Sequence, residues 1–388
     1  MKNTSYLCVL FVPLLLAGCR QRYEAPVVSP ATGYLVIDGV LNGGAGTAAI
    51  TLTRTTMLND SSHLYETGAV VSLQAQDSAV IVLSEKGKGT YGADNLLLSK
   101  ALQYRLRINT KDGSRYLSDF VPVRNNPPVD SLSWRIENGG VQLYINSHDP
   151  LNNTHYYQWT YEETWQIQSA HSSSLKYKIV RNGGDVFYTV AYRDSSTFSI
   201  DTSIINCWQF NNPLNIFIAS TAKLSQDVVS QPVAFIPPAS VKLGVKYSIS
   251  VKQYTWSKEG YEFLDRLRKN TETTGSVFDP QPSELNTNIH NLTNPADRVI
   301  GFFNICSVQE KRIFIARSDV PGWGYSPGCF EITLPNISDS IAIKGASVLP
   351  TLPVKKNATG EILIFGAAPP DCVDCTLRGT NKRPGYWQ

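Results

Sequence analysis

The sequence predicts an all-β protein: an N-terminal immunoglobulin-like β-sandwich followed by a larger β-rich domain with one short helix. Short runs rich in Val, Ile, Tyr and Phe recur between turn residues, which is typical of strands. Many of these runs alternate apolar and polar residues, as half-buried strands do. Only one stretch shows helical spacing. Because 42% of the residues are hydrophobic, there is enough apolar material for packed cores.

The first domain is predicted to span residues 33–124. Tyr104, Leu106 and Ile108 alternate with polar residues, so one face of their strand is expected in the core. Regular strand spacing favours an immunoglobulin-like sandwich. The domain is expected to end at Asn125-Asn126-Pro127-Pro128, where paired prolines break a ladder. The predicted strands are Tyr34 to Leu41, Ala48 to Thr55, Val70 to Gln76, Val80 to Ser84, Gln103 to Thr110 and Tyr116 to Val123.

The second domain is predicted over residues 129–388, with a hairpin closed at Gln309 to Lys311. Its helix is expected from Lys258 to Asn270, because Ser257 can cap it and Tyr261, Leu264 and Leu267 form an apolar stripe. The predicted strands are Val141 to Asn146, Tyr156 to Gln168, Asp185 to Tyr192, Val245 to Trp256, Val299 to Cys306, Arg312 to Arg317 and Glu361 to Phe365.

The chain begins with a segment typical of export. Lys2 precedes an apolar run that ends at Leu16-Ala17-Gly18-Cys19. The run is too short for a membrane span of about 20 residues, so residues 1–18 are predicted to be a signal peptide. The stretch 16–19 resembles the lipobox of bacterial lipoproteins, which implies a lipid on Cys19 and a membrane anchor. Residues 19–32 are expected to form a lipidated tether, and Arg20, by the same resemblance, favours the outer membrane.

The charge balance excludes one class of partner. The formal charge is +3, and removal of Lys2 with the signal leaves +2. A protein that binds nucleic acid is usually far more basic, so nucleic acid is not expected as a partner. No phosphate loop, dinucleotide fingerprint, nucleophile elbow or zinc-protease motif occurs, and the sequence predicts no catalytic residue and no cofactor.

Five cysteines follow the anchor: Cys207, Cys306, Cys329, Cys372 and Cys375. Export favours disulfides, and two bridges with one free thiol allow fifteen arrangements. Cys372 and Cys375 form a C-x-x-C that could be a bridge, a redox pair or half of a zinc site. Prolines before it and glycine after it favour a loop, and hence a structural bridge between these two cysteines.

Two further groups are candidates for binding. Tyr157, Trp159 and Tyr161 fall on one face of a strand and could stack on sugars, but the same alternation is what a buried sandwich face requires, and core packing is favoured. Glu162 and Glu163 point to opposite faces, so they cannot act as a glycosidase pair. His148, His155 and His171 match no ligand spacing, and no metal site is predicted.

The passage Thr274 to Pro282, followed by Asn288-Ile289, Asn294-Pro295 and Val299 to Phe303, resembles a family of Bacteroidota outer-membrane lipoproteins known as domain of unknown function 4249. The ending Cys372 to Cys375, Arg378-Gly379-Thr380 and Pro384 to Trp387 is similar to that family's C-terminus. The family implies no catalytic residues, and it implies frequent association with TonB-dependent receptors. Its pattern makes Cys306 the unpaired thiol, which leaves Cys207 to bridge to Cys329.

The sequence therefore favours a non-catalytic accessory or binding lipoprotein that works with a TonB-dependent receptor. A surface enzyme acting on glycans and a structural or adhesive surface protein remain as alternatives. The membrane face on which the chain lies stays open.

Overall fold

A computed structural model describes residues 33–44, 46–56, 64–94, 96–272 and 284–388. The predicted signal peptide, Cys19 and the tether lie outside the described residues, as does the whole passage Thr274 to Pro282. Strands dominate the described chain, so the all-β class is confirmed.

Eight of the first ten strands lie within or close to the predicted runs, whereas β4 and β7 were not predicted. Tyr104, Leu106 and Ile108 are all buried, as their alternation requires. The first and last predicted strands are each divided in two. The strands are β1 Leu35–Asp38, β2 Leu41–Asn42, β3 Thr47–Arg54, β4 Leu64–Tyr65, β5 Val70–Ala75, β6 Val80–Gly87, β7 Thr90–Asp94, β8 Gln103–Asn109, β9 Arg115–Ser118 and β10 Val121–Pro122.

The second part of the chain contains sixteen further strands and three α-helices in the described ranges. Up to the first helix these are β11 Val129–Glu137, β12 Gly140–His148, β13 Tyr156–Gln168, β14 Leu175–Asn182, β15 Asp185–Tyr192, β16 Asn206–Asn211, β17 Phe217–Ser220, β18 Val228–Ile236, β19 Lys246–Thr255 and α1 Lys258–Glu272. They continue with β20 Ile289–Asn291, β21 Val299–Ile300, β22 Ile305–Cys306, β23 Gln309–Ala316, β24 Ile332–Pro335, α2 Ser338–Lys344, β25 Leu349–Lys356, β26 Ile362–Ala368 and α3 Pro370–Val373.

The first sheet is completed by a distant part of the chain. Its order is β20-β9-β8-β5-β6-β7-β3-β1-β21, with β10 on β8 and β4 on β3, so both ends come from residues 289–300. β21 pairs in parallel with β1, and β22 pairs in parallel with β2. Ile289, Val299, Phe303 and Ile305 are buried in this sheet's core. An immunoglobulin-like sandwich consists of two separate sheets, whereas these strands follow one continuous order. The immunoglobulin-like topology therefore stays a prediction.

Two predictions for this segment are wrong. Val299 to Cys306 is not one strand of the second domain, and Gln309 to Lys311 does not close a hairpin but begins β23, which pairs with β19. The physical reason is that strands of two or three residues carry no periodicity. Their pairing partners, more than 250 positions earlier in the chain, leave no local signal.

The second part of the chain is a sandwich of two sheets with a third sheet beside it. The order β11-β12-β18 faces the order β16-β13-β19-β23, to which β17 adds. Alternate residues of β12, β13, β18 and β19 fill the space between these two sheets. The third sheet, β24-β26-β25, packs with the β14–β15 hairpin and α2 around Phe365.

The predicted helix is confirmed, since α1 begins at Lys258 and extends two residues past the expected end. The expectation of a single helix is wrong, because α2 and α3 are also present. Both are seven residues or shorter, too short to show a helical apolar stripe. None of the helices in the described ranges is long and apolar enough to span a bilayer.

Candidate functional site

Helix α1 lies between the first sheet and the sandwich. Its N-cap is Ser257, whose hydroxyl accepts a hydrogen bond of 3.1 Å from the Gly260 N–H. The predicted stripe packs toward the sandwich. Phe263, which was not part of the predicted stripe, and Leu264 are the buried apolar residues of α1 in this cluster. Phe302, from the segment that completes the first sheet, packs against Phe263 with ring centroids 5.8 Å apart. The helix therefore connects the cores of both parts.

Gly260 permits this close packing. A Cβ atom at this position would lie 2.6 Å from Cε3 of Trp256 and 3.2 Å from Cε1 of Phe302. Trp256 is buried, and its indole N–H donates to Gln158 Oε1 at 2.9 Å. The absence of a side chain at Gly260 thus lets the first turn of α1 rest directly on two aromatic rings.

An apolar cavity of ≈ 490 Å³ lies on one side of α1. Trp256, Phe263, Leu267 and Phe302 line it, and Asp38 belongs to its polar edge. A predominantly apolar wall with a few polar groups is typical of pockets for small molecules, which often lie at domain junctions.

Two clefts with charged residues in their linings lie beside the beginning of α1. They measure ≈ 430 Å³ and ≈ 440 Å³, and both are lined by Pro122, Arg124, Ser257 and Glu259. Arg124 immediately precedes the linker predicted from the sequence. The junction is thus surrounded by three cavities of a size that admits a small ligand.

Arg124 and Glu259 set the electrostatics of the clefts. Burial lowers the pKa of the Arg124 guanidinium, and the charge of Glu259 offsets part of that effect. The pKa of Glu259 is lowered because its carboxylate accepts hydrogen bonds from its own N–H and from the Ser257 hydroxyl, with Arg124 adding a smaller effect. Both groups therefore face the clefts in their charged forms.

The predicted aromatic row lies elsewhere, in the sandwich core. Tyr157 and Trp159 are fully buried and stacked, with ring centroids 5.7 Å apart. Trp159 donates its indole N–H to Gln253 Oε1 at 2.9 Å, and Gln253 in turn bonds to the linker residue Asn126. Tyr161 is only partly buried, and burial raises its pKa to about 12. The row therefore supports the core, the interpretation that the alternation favours, and does not line the junction.

The disulfide pairing differs from the prediction. Cys207 bridges to Cys375, and Cys329 bridges to Cys372, with Cα–Cα distances of 5.7 and 5.8 Å. The expected bridges Cys207–Cys329 and Cys372–Cys375 are therefore wrong. Cys306 is free and buried, as the family pattern implied, and burial raises the pKa of its thiol to about 11.

The local backbone explains the correction. Cys372 lies in α3, whereas Cys375 begins the 3-10 turn that follows, so the region is not the loop that flanking prolines and glycine suggested. Cys372 is buried against Ala368 and Val373, while Cys375 is buried against Ile167. The two thiols thus enter different clusters, and each cluster supplies the partner cysteine.

His148 and His155 contact different side chains. His148 Nδ1 lies 2.8 Å from Asp130 Oδ2, which raises the pKa of His148, and His155 contacts Thr221. In the described part of the chain, no group of three or more His, Cys, Asp or Glu side chains is arranged to hold a metal ion.

Sequence reasoning missed Arg124, Glu259 and Arg266, which line the same cleft. Arg124 and the helix residues are distant in sequence, so no motif joins them. The sequence signal that could have indicated this site is Arg124, a basic residue directly before the proline-rich domain boundary.

Comparison with known proteins gives one family. No curated protein matches the sequence. A family profile matches residues 21–312, about three quarters of the chain. The match stops before the ending Cys372 to Trp387, so the similarity of that ending to the family stays a prediction. The chain belongs to the family described as Domain of unknown function (DUF4249).

Proposed function

We propose that this chain is a non-catalytic binding lipoprotein of the bacterial outer membrane, anchored through Cys19 and acting with a TonB-dependent receptor. The observation that carries the proposal is the concentration of three clefts around α1, where the two parts of the chain meet. Junctions of this kind are preferred sites for small ligands.

The polar groups of the clefts support binding. Glu259 is held by Ser257, and Asn288 makes two hydrogen bonds of 2.8 and 2.9 Å with the backbone of Phe303. These contacts fix the walls of the clefts. A preformed wall lowers the entropy cost of binding, because fewer side chains must be ordered when the ligand arrives.

The anchor fits the same role. The tether from residue 19 to residue 32 has 14 residues (32 minus 19, plus one) and can reach at most about 50 Å when fully extended. It would hold the binding junction close to receptors in the same membrane. Acyl chains contribute about 0.8 kcal/mol per buried methylene, so several chains give a firm attachment.

Cys19→Ala is expected to abolish lipidation. Of the five cysteines that follow Cys19, four are paired and Cys306 is buried, and none of the five follows a suitable apolar run. Labelled palmitate should therefore be incorporated into the native chain and absent from the variant, which should leave the membrane fraction. Cys306→Ala is the matched control and should label normally. Labelling that persists in Cys19→Ala would reject the anchor.

The receptor is tested by capture from intact cells. An affinity-tagged native chain, crosslinked before lysis, is expected to recover a TonB-dependent receptor that mass spectrometry identifies by sequence. The tagged Cys19→Ala chain should recover far less of it, because it is no longer concentrated at the membrane. Repeated failure to recover any receptor of this class with the native chain would contradict the proposed partnership.

A further inference from the structure

We propose that the ≈ 430 Å³ cleft beside α1 binds the oxyanion of a small ligand, a carboxylate or a phosphate group, through Arg124 and Arg266. The inference rests on the proposed binding role and names the class of ligand. Both guanidinium groups line this one cleft, one from the end of the first domain and one from the helix.

Glu259 acts on Arg124 through its charge, but no acceptor is bonded to either guanidinium group in the described ranges. Across the described residues, the side chains of Arg124 and Arg266 make no hydrogen bond and no ion pair, although both are partly buried. Burial lowers the pKa of Arg124, which reflects the loss of water around its charge. A desolvated cation without acceptors is unfavourable, and an oxyanion would supply the missing acceptors.

The carboxylates of the same cleft are already engaged. Asp119 Oδ1 lies 3.1 Å from His290 Nε2, and Glu262 lies 3.9 Å from Lys258 Nζ. Glu259 accepts hydrogen bonds at the helix N-terminus. Glu259 therefore influences Arg124 through its charge without accepting a hydrogen bond from it, and the two guanidinium groups keep their donors for a ligand.

The positions of the two arginines are fixed by the fold. The Arg124 N–H donates to the Ile305 carbonyl at 2.9 Å, and the Arg124 carbonyl accepts from the Ser307 N–H at 3.1 Å. Arg266 lies on α1, which is held by the buried Phe263 and Leu264. A guanidinium presents a planar fork that matches carboxylate and phosphate oxygens, and the fixed backbone positions bring two such forks to one cleft.

The test measures binding of inorganic phosphate and, separately, of succinate to the purified full chain in non-ionic detergent by isothermal titration calorimetry. At least one anion should bind, and the comparison identifies which oxyanion the cleft prefers. Arg124→Gln and Arg266→Gln should each weaken binding at least ~10-fold, and the double variant should abolish it. Binding should also weaken as ionic strength rises.

Arg107→Gln is the matched control, because it removes the same charge from an exposed position on β8. It should leave the affinity unchanged, and melting curves should show that all variants fold. If neither anion binds at millimolar concentration, or if Arg107→Gln weakens binding as much as the cleft variants, the anion site is rejected. Receptor capture is read independently, so a rejected anion site would still leave the proposed partnership open to its own test.

Discussion

A chain carrying Cys207→Ala and Cys375→Ala is expected to lose about 5 kcal/mol of unfolding free energy in its second part. The bridge joins residues 168 positions apart, and in the chain-entropy model the stabilisation grows with the logarithm of the loop length. The bridge also holds the C-terminal segment against β16, where Trp208 exchanges two backbone hydrogen bonds with Thr380. Urea unfolding followed by tryptophan fluorescence should show a markedly lower midpoint.

The matched comparison is Cys329→Ala with Cys372→Ala. That bridge closes 43 positions, for which the same model gives about 4 kcal/mol. Peptide mapping of the non-reduced native protein should recover Cys207 with Cys375 and Cys329 with Cys372, and only Cys306 should alkylate after unfolding. A peptide joining Cys372 to Cys375 would contradict the pairing, and a Cys207→Ala, Cys375→Ala chain as stable as the native one would contradict the expected stabilisation.

Strands and the main helix were predictable because their signals are local. β13 begins at Tyr156 and ends at Gln168, as its run of alternating residues predicted, and β15 agrees equally well. Ser257 and the stripe on α1 define a helix within a single stretch of chain. Periodicity and capping need no knowledge of the rest of the molecule.

Features that depend on distant partners were not predictable. The strands at Val299 and Ile305 become strands only because β1 and β2 are present beside them. Sequence proximity suggested that Cys372 and Cys375 bridge to each other. In the structure, α3 and the 3-10 turn after it direct the two thiols into different clusters. The candidate site likewise depends on distant residues, since Arg124 and Arg266 line one cleft only in the folded chain.

The second large effect is expected at Glu163, a carboxylate that is only 2% exposed in the sandwich. Lys242 Nζ lies 2.7 Å from both of its oxygens, the Tyr247 hydroxyl donates at 2.8 Å, and Asn211 Nδ2 donates at 2.7 Å. Burial, with the charge of Glu163, raises the pKa of Tyr247, so its hydroxyl stays protonated and remains a donor. The sequence placed Glu163 on the opposite face from the exposed Glu162, and the structure agrees.

Lys242→Met is expected to lower the unfolding free energy by about 3–5 kcal/mol, because it leaves the Glu163 carboxylate buried without its counter-ion. Adding Glu163→Gln in the same chain should restore part of the loss, since the amide oxygen can still accept from Tyr247 and no charge remains buried. The control is Lys86→Met. Its partner Asp94 lies 3.0 Å away in an exposed pair, so the cost should stay below about 1 kcal/mol. The unfolding free energies of the three variants are compared from their urea midpoints. If Lys242→Met lowers the unfolding free energy no more than Lys86→Met does, the buried pair does not stabilise the sandwich.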